Sequence, residues 1–204
     1  KIMSKLQTIY LDIKDDEDGV FAISLVGDPA IEENFIALSK EHVEFKAIDD
    51  ERKIVVGFAL VPEKEIYRKI SDKKSKHFGK EFNIKFSKET VAKTAELFMK
   101  NLHGNNFTSE HQKPVSGASV IESWMVEDPK NDKSNIYNLK AKGGEWVIMV
   151  KLYNEEEYQK AKDGTYKGFS IEAMYDGFDQ LEASTELSSD DNLIETIKQI
   201  LNKA

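Results

Sequence analysis

Three residue types that could do chemistry together stand out in this chain: a serine and a carboxylate two residues apart on one strand, and a histidine some way before them. The stretch Gly168-Phe169-Ser170-Ile171-Glu172-Ala173 alternates as a β-strand does. Phe169, Ile171, Ala173 and Tyr175 share one face and are expected in the core, while Ser170, Glu172 and Met174 share the other. Gly168 lets another backbone or a substrate come close. A serine hydroxyl attacks a carbonyl only when a base takes its proton, and histidine suits that task because it titrates near neutrality. A third group usually holds the imidazole in the right tautomer, and backbone N–H groups, here expected near Ser170 or on a neighbouring loop, stabilise the oxyanion. His111 is the candidate base. Spacing alone is weak support, since an ordinary antiparallel strand with one solvated face shows the same alternation. There is no Gly-x-Ser-x-Gly elbow, which counts against an α/β-hydrolase.

Composition narrows the alternatives. A chain of 204 residues suggests one domain, or one domain with an appendage. With 40% hydrophobic residues it can build a core, and its net charge of −8 argues against general phosphate-backbone binding. The absence of cysteine excludes disulfides, thiolate catalysis and cysteine-based zinc sites. His42, His77, His103 and His111 form no HxxxH or HExxH pattern, so neither a metal nor another cofactor is expected. No apolar run reaches the ~20 residues of a membrane span, and no signal pattern opens the chain. A soluble intracellular protein without membrane or nucleic-acid partners is the expectation. Residue 1 is Lys rather than Met, as in a processed or trimmed piece of a longer chain.

The elements that must position these residues can be taken in order. Residues 7–13 and Val20–Val26 alternate as strands around the acidic turn Asp15-Asp16-Glu17-Asp18-Gly19, which predicts a hairpin over 7–26. Strands are expected over His42–Ile48, Lys53–Val61 and Glu81–Phe86, with a short strand or helix within Glu63–Asp72. Ser87 reads as a helix N-cap, Val91, Ala95, Phe98 and Leu102 as its apolar stripe, and Gly104 as its stop. Asn105–Gly117 is a polar loop or edge strand that carries His111. Strict alternation over Ala118–Val126 puts Glu122 in an apolar row with Ala118, Val120, Trp124 and Val126. A carboxylate there should be paired or functional, unless the strand is an edge open to water. Trp146–Leu152 is a strand, and Asn154 opens a short helix that Gly164 ends. Two regions follow: residues 1–181 as the main domain, and residues 182–204 as an acidic linker with a C-terminal amphipathic helix. That helix, striped by Leu193, Ile194, Ile197, Ile200 and Leu201, either docks on the domain or self-associates with another chain. Eight or nine strands and three helices without β-α alternation predict an α+β fold, a mostly antiparallel β barrel or sandwich with a few flanking helices.

Three blocks resemble the phage prohead (capsid maturation) serine proteases, in particular the XkdF-like branch. Glu110-His111-Gln112-Lys113-Pro114-Val115-Ser116-Gly117, followed by Val120-Ile121-Glu122-Ser123-Trp124, is similar to the family's histidine block. Gly144-Glu145-Trp146-Val147 through Leu152, then Lys167-Gly168-Phe169-Ser170-Ile171-Glu172, is similar to the nucleophile block. Ile23-Ser24-Leu25-Val26 with Asp28-Pro29-Ala30-Ile31 resembles a Ser-Leu-Val…Pro-Ala block, and Val55–Pro62 is in keeping with the branch. The resemblance covers roughly residues 7–176. It implies a fold like that of the herpesvirus assembly proteases (assemblins) and a nucleophile–base pair of Ser170 and His111. It also implies cleavage of scaffold and major capsid proteins, and often of the protease itself, inside the viral procapsid in the host cytoplasm. One departure matters. In the better-known prohead proteases the Ser-Leu-Val block follows the nucleophile and the residue before Ile-Ser-Leu-Val is the triad acid. Here the block lies N-terminal, as though the chain were circularly permuted, and that position is Ala22. Glu122 is the first candidate for the third member, Glu172 the second and Asp176 the third. His42, His77 and His103 are expected to be structural or solvated. The rivals are an inactive structural or scaffold-linked capsid assembly protein of the same fold, which the missing acid at Ala22 favours, and an esterase using the same pair.

Overall fold

The computed structural model describes residues 6–27, 45–49, 51–71, 73–75 and 77–181. Strands β1 (Thr8–Leu11), β2 (Gly19–Val26), β3 (Phe45–Asp49), β4 (Ile54–Leu60), β5 (Ile66–Lys69) and β6 (Glu81–Phe86) precede helix α1 (Lys88–Lys100). Strands β7 (Phe107–Ser109), β8 (Lys113–Pro114), β9 (Ala118–Met125) and β10 (Trp146–Leu152) precede helix α2 (Glu155–Lys162), and β11 (Gly168–Met174) follows it. The strands form three sheets in the orders β1-β6-β5, β3-β4-β10-β9 and β11-β2-β7-β8. Among the described residues none closes on itself, so they form a mostly antiparallel α+β fold rather than a barrel. The parallel pairings are β1 with β6 and β2 with β7.

The hairpin predicted over residues 7–26 does not form. β1 pairs with β6, while β2 pairs with β11 on one edge and β7 on the other. All of β2 but Phe21 is buried, and both its edges are taken by distant segments, which leaves no edge for β1. The acidic turn redirects the chain instead. The N–H groups of Lys14 and Asp15 donate to the Asp18 carboxylate at 2.9 and 3.0 Å, and Gly19 turns at φ +96°.

The main core lies where the sheets and α1 meet, built on Ile9, Ile23, Leu25, Phe82, Phe98 and Trp146. A second, smaller cluster of Ile54, Val56, Val126, Leu139, Val147 and Met149 covers the far face of the β4–β10 pair. That is why β10 reads as the nearly unbroken apolar run Trp-Val-Ile-Met-Val: neighbouring residues go to opposite clusters, and both are dry.

Helix α1 begins as expected, with the Ser87 hydroxyl accepting the Thr90 N–H at 3.0 Å. It ends earlier than expected. Asn101 is the C-cap, and Leu102 turns into the left-handed region at φ +59° and is 84% exposed, so it is not part of the buried stripe. Gly104 sits in the short 3-10 turn that follows. Helix α2 starts where Asn154 accepts the N–H groups of Glu156 and Glu157, and Gly164 follows at φ +82°. The segment of residues 182–204, with its expected linker and helix, lies outside the described residues, as does His42.

Strand β9 departs from simple alternation. Val120 pairs with Val150 and Glu122 with Met149, so Ile121 is an extra residue with no partner on β10. The bulge flips the pleat. Ala118 and Val120 face the main core, whereas Trp124 and Val126 face the second cluster. Glu122 therefore does not share an apolar row with Ala118 and Val120. Its carboxylate is 45% exposed and pairs with Lys133, whose ammonium also lies 3.8 Å from the centre of the Trp124 ring.

Candidate active site

The site is built on one face of the β11-β2-β7-β8 sheet. The predicted sides of β11 hold: Phe169 is buried in the main core with Ile171, Ala173 and Tyr175 packed against it, which turns Ser170 and Glu172 to the other face. Ser170 stands directly opposite Ser24 across the β11–β2 ladder, and Glu172 stands opposite Ala22. Ser24 in turn faces Thr108 on β7. Residues directly opposite share a face with their Cβ atoms about 5 Å apart, so Ser170, Ser24, Thr108 and Glu172 form one polar patch.

His111 enters this patch from the turn between β7 and β8. Gln112 N–H donates to the Ser109 carbonyl at 3.0 Å, and both central residues have positive φ, Glu110 at 51° and His111 at 54°. This is the type I′ geometry normally given to Asn-Gly. Strand β2 and the Gly27 that follows it hold it at three points: Glu110 N–H donates to the Leu25 carbonyl at 3.1 Å, His111 N–H to the Ser24 hydroxyl at 2.9 Å, and Gly27 N–H to the Glu110 carboxylate at 2.7 Å. From this turn the His111 ring reaches Glu172, with Nδ1 and Oε1 3.4 Å apart and side chains only 17% and 23% exposed. The Thr108 hydroxyl donates to the same carboxylate oxygen. Glu172 thus stands on the Nδ1 side of the ring, with Nε2 buried on the other. Ser170 is partly exposed, and its hydroxyl forms no hydrogen bond among the described residues. Catalytic hydrogen bonds commonly tighten only when substrate is bound.

Behind the turn lies a second polar cluster. The Tyr166 hydroxyl donates to Glu157 at 2.6 Å and shares a hydrogen bond of 2.7 Å with Ser109, the first residue of the His111 turn. Burial, reinforced by the Glu157 carboxylate, raises the Tyr166 hydroxyl above its ordinary pKa. Lys160 completes the cluster at 2.9 Å from Glu157.

The structure therefore brings together His111 and Glu172 and places Ser170 on the same face. It does not bring Glu122 to them: that residue belongs to another sheet and pairs with Lys133. Asp176 is also elsewhere, bridged to Asp12 and paired with Lys14, whose ammonium holds its carboxyl below the usual range. His103 lies tilted against the Phe98 ring with its Nδ1 3.1 Å from the Asn106 amide, and His77 lies in a turn before Lys80. Sequence reasoning passed over Ser24, Thr108 and Glu110 as site residues. Ser24 and Glu110 carried a signal as members of the Ser-Leu-Val and histidine blocks; Thr108 joins the site only through the pairing of β7 with β2. Among the described residues no group of three or more His, Asp or Glu side chains could hold a metal ion.

Comparison with known proteins covers the histidine and nucleophile blocks of this face, but not the Ser-Leu-Val block on β2. The family described as "Putative phage serine protease XkdF" matches residues 42–179. The chain belongs to this family of phage serine proteases. No curated protein and no solved structure matches it.

Proposed function

We propose that the protein is a serine endopeptidase that cleaves scaffold and major capsid proteins, and itself, while a procapsid matures in the host cytoplasm. Ser170 attacks the scissile carbonyl as its proton passes to His111 Nε2. Glu172 stabilises the imidazolium through Nδ1, and His111 then gives the proton to the leaving amine. Water opens the resulting acyl-enzyme by the same steps in reverse. No metal or cofactor takes part in this scheme. On this reading the fold is related to that of the herpesvirus assembly proteases.

The observation that carries the proposal is the 3.4 Å approach of His111 Nδ1 to Glu172, two residues along β11 from Ser170 and on its face. It also supports a candidate for the missing acid. Resemblance puts the family's acid at the position of Ala22, and the residue directly opposite Ala22 across the ladder is Glu172. The carboxylate stands one strand over and reaches the same region, which supports an active enzyme over an inactive structural protein.

The test is to co-express the full-length protein with its scaffold and capsid proteins and to follow the intact masses of all three. Wild type should shorten at least one of them and Ser170→Ala none. Glu172→Gln should slow cleavage by about 10²-fold or more, and Glu122→Gln should leave it within about twofold. Equal processing by wild type and Ser170→Ala would end the proposal. Full activity of Glu172→Gln would remove Glu172 from it.

A further inference from the structure

We infer that Ser24 is a positioning residue for His111, a role that rests on the Ser170–His111 reading above. Ser24 is fully buried in the middle of β2, on the face opposite its core-packed neighbours Ile23 and Leu25. Its hydroxyl is used in both directions. It accepts the backbone N–H of His111 at 2.9 Å and lies 3.4 Å from the Thr108 carbonyl, to which it can donate. The amide it accepts belongs to the second central residue of a type I′ turn in which neither central residue is glycine. A histidine held in the left-handed region tends to relax toward ordinary backbone angles. Such a rotation would carry the ring away from Glu172, so an acceptor fixed at the amide sets where the imidazole points.

Position and chemistry separate this role from that of the nucleophile. Ser24 stands directly opposite Ser170, so a single ladder register places the attacking serine and the anchor of its base side by side. Ser170 is partly open to solvent, whereas Ser24 is closed off and its oxygen already receives a hydrogen bond. The sheet thus carries two facing serines with different tasks: one attacks, and the other holds the turn that carries the base.

The experiment uses the full-length protein and a fluorophosphonate probe. The serine oxygen bonds to phosphorus as fluoride leaves, and the serine proton passes to the base. Peptide mapping then locates the label. Wild type should be labelled at Ser170 and not at Ser24. Ser24→Ala should label about 10- to 100-fold more slowly, the scale expected when a catalytic group is misplaced by about an ångström. Its His111 ring signals should shift in ¹H–¹⁵N spectra, and the pH at which labelling switches on should change. Ser24→Thr, which restores the hydroxyl on a residue suited to strands, should recover most of the rate and return the ring signals to the wild-type positions; this arm decides the matter should Ser24→Ala fold poorly. Wild-type labelling rates and ring signals in folded Ser24→Ala would overturn the positioning role alone. So would a Ser24→Thr protein that is folded but as slow as Ser24→Ala. A wild-type protein labelled at Ser24, or not labelled at Ser170, would overturn the reading beneath it.

Discussion

His111 holds its backbone at φ +54°, a conformation that glycine adopts freely and that costs other residues roughly 1–2 kcal/mol. Contacts from β2 and Gly27 hold it there, and from this conformation the ring reaches Glu172. If His111 is the base proposed above, catalytic geometry and stability pull in opposite directions at this position. His111→Gly should abolish cleavage while the melting temperature stays level or rises by a few degrees, as read by calorimetry. A clear fall would mean that the imidazole's contacts outweigh the backbone strain. At this scale the sequence was partly legible. Ser170 and Glu172 showed themselves through alternation, since β11 is regular as far as Glu172, and His111 through the block that surrounds it. The pairing of Glu172 with His111 was not visible, because Glu172 meets His111 only once β2 lies between β11 and β7. Glu122 drew attention on a false premise, namely that β9 alternates without interruption.

The bulge at Ile121 shows why elements were easier to find than their faces. A strand's existence follows from composition over several residues, but its faces depend on an unbroken count, and one extra residue exchanges them. The end of α1 has a similar explanation. Gly104 was the obvious left-handed stop, yet Leu102 takes that conformation two residues earlier with its side chain almost wholly in water. Nothing in the structure explains a leucine there. Leu102→Gly should therefore stabilise the protein by about 1 kcal/mol, seen as a melting temperature about 2–4 °C higher, with cleavage unchanged. Gly27 behaves oppositely, because a Cβ built there would lie 2.1 Å from the Thr165 carbonyl oxygen. Gly27→Ala must push apart the end of β2 and the loop leading into β11. It should lower both stability and cleavage rate, and a melting temperature equal to wild type would show that the Thr165 backbone can give way freely.

Across the whole molecule the described surface carries several lysine–carboxylate pairs. Asp16, Glu81, Glu155 and Asp176 each have a carboxyl held below its ordinary range, chiefly by hydrogen bonds from Lys100, Lys69, Lys53 and Lys14 respectively. A carboxylate whose folded pKa is depressed adds stability that is complete above its unfolded pKa of about 4, and loses it as pH falls through the folded value. Melting temperature should thus decline from about pH 5 toward pH 3. The slope should be shallow and flatten in ~1 M salt, because these pairs face solvent. The α+β class was legible from strand count and the lack of β-α alternation, whereas the three-sheet arrangement was not, since sequential neighbours β1 and β2 join different sheets. That arrangement has a practical outcome. The family match begins at residue 42, yet the strand between Ser170 and the His111 turn is β2, Gly19–Val26. A fragment cut to the matched region would keep both proposed catalytic residues and lose the strand that joins them. Such a fragment, residues 42–181, should be inert alone and regain cleavage when a synthetic peptide of residues 6–27 is added, by inserting as the missing strand. The concentration giving half-recovery would measure how tightly that one strand holds the two halves of the site together.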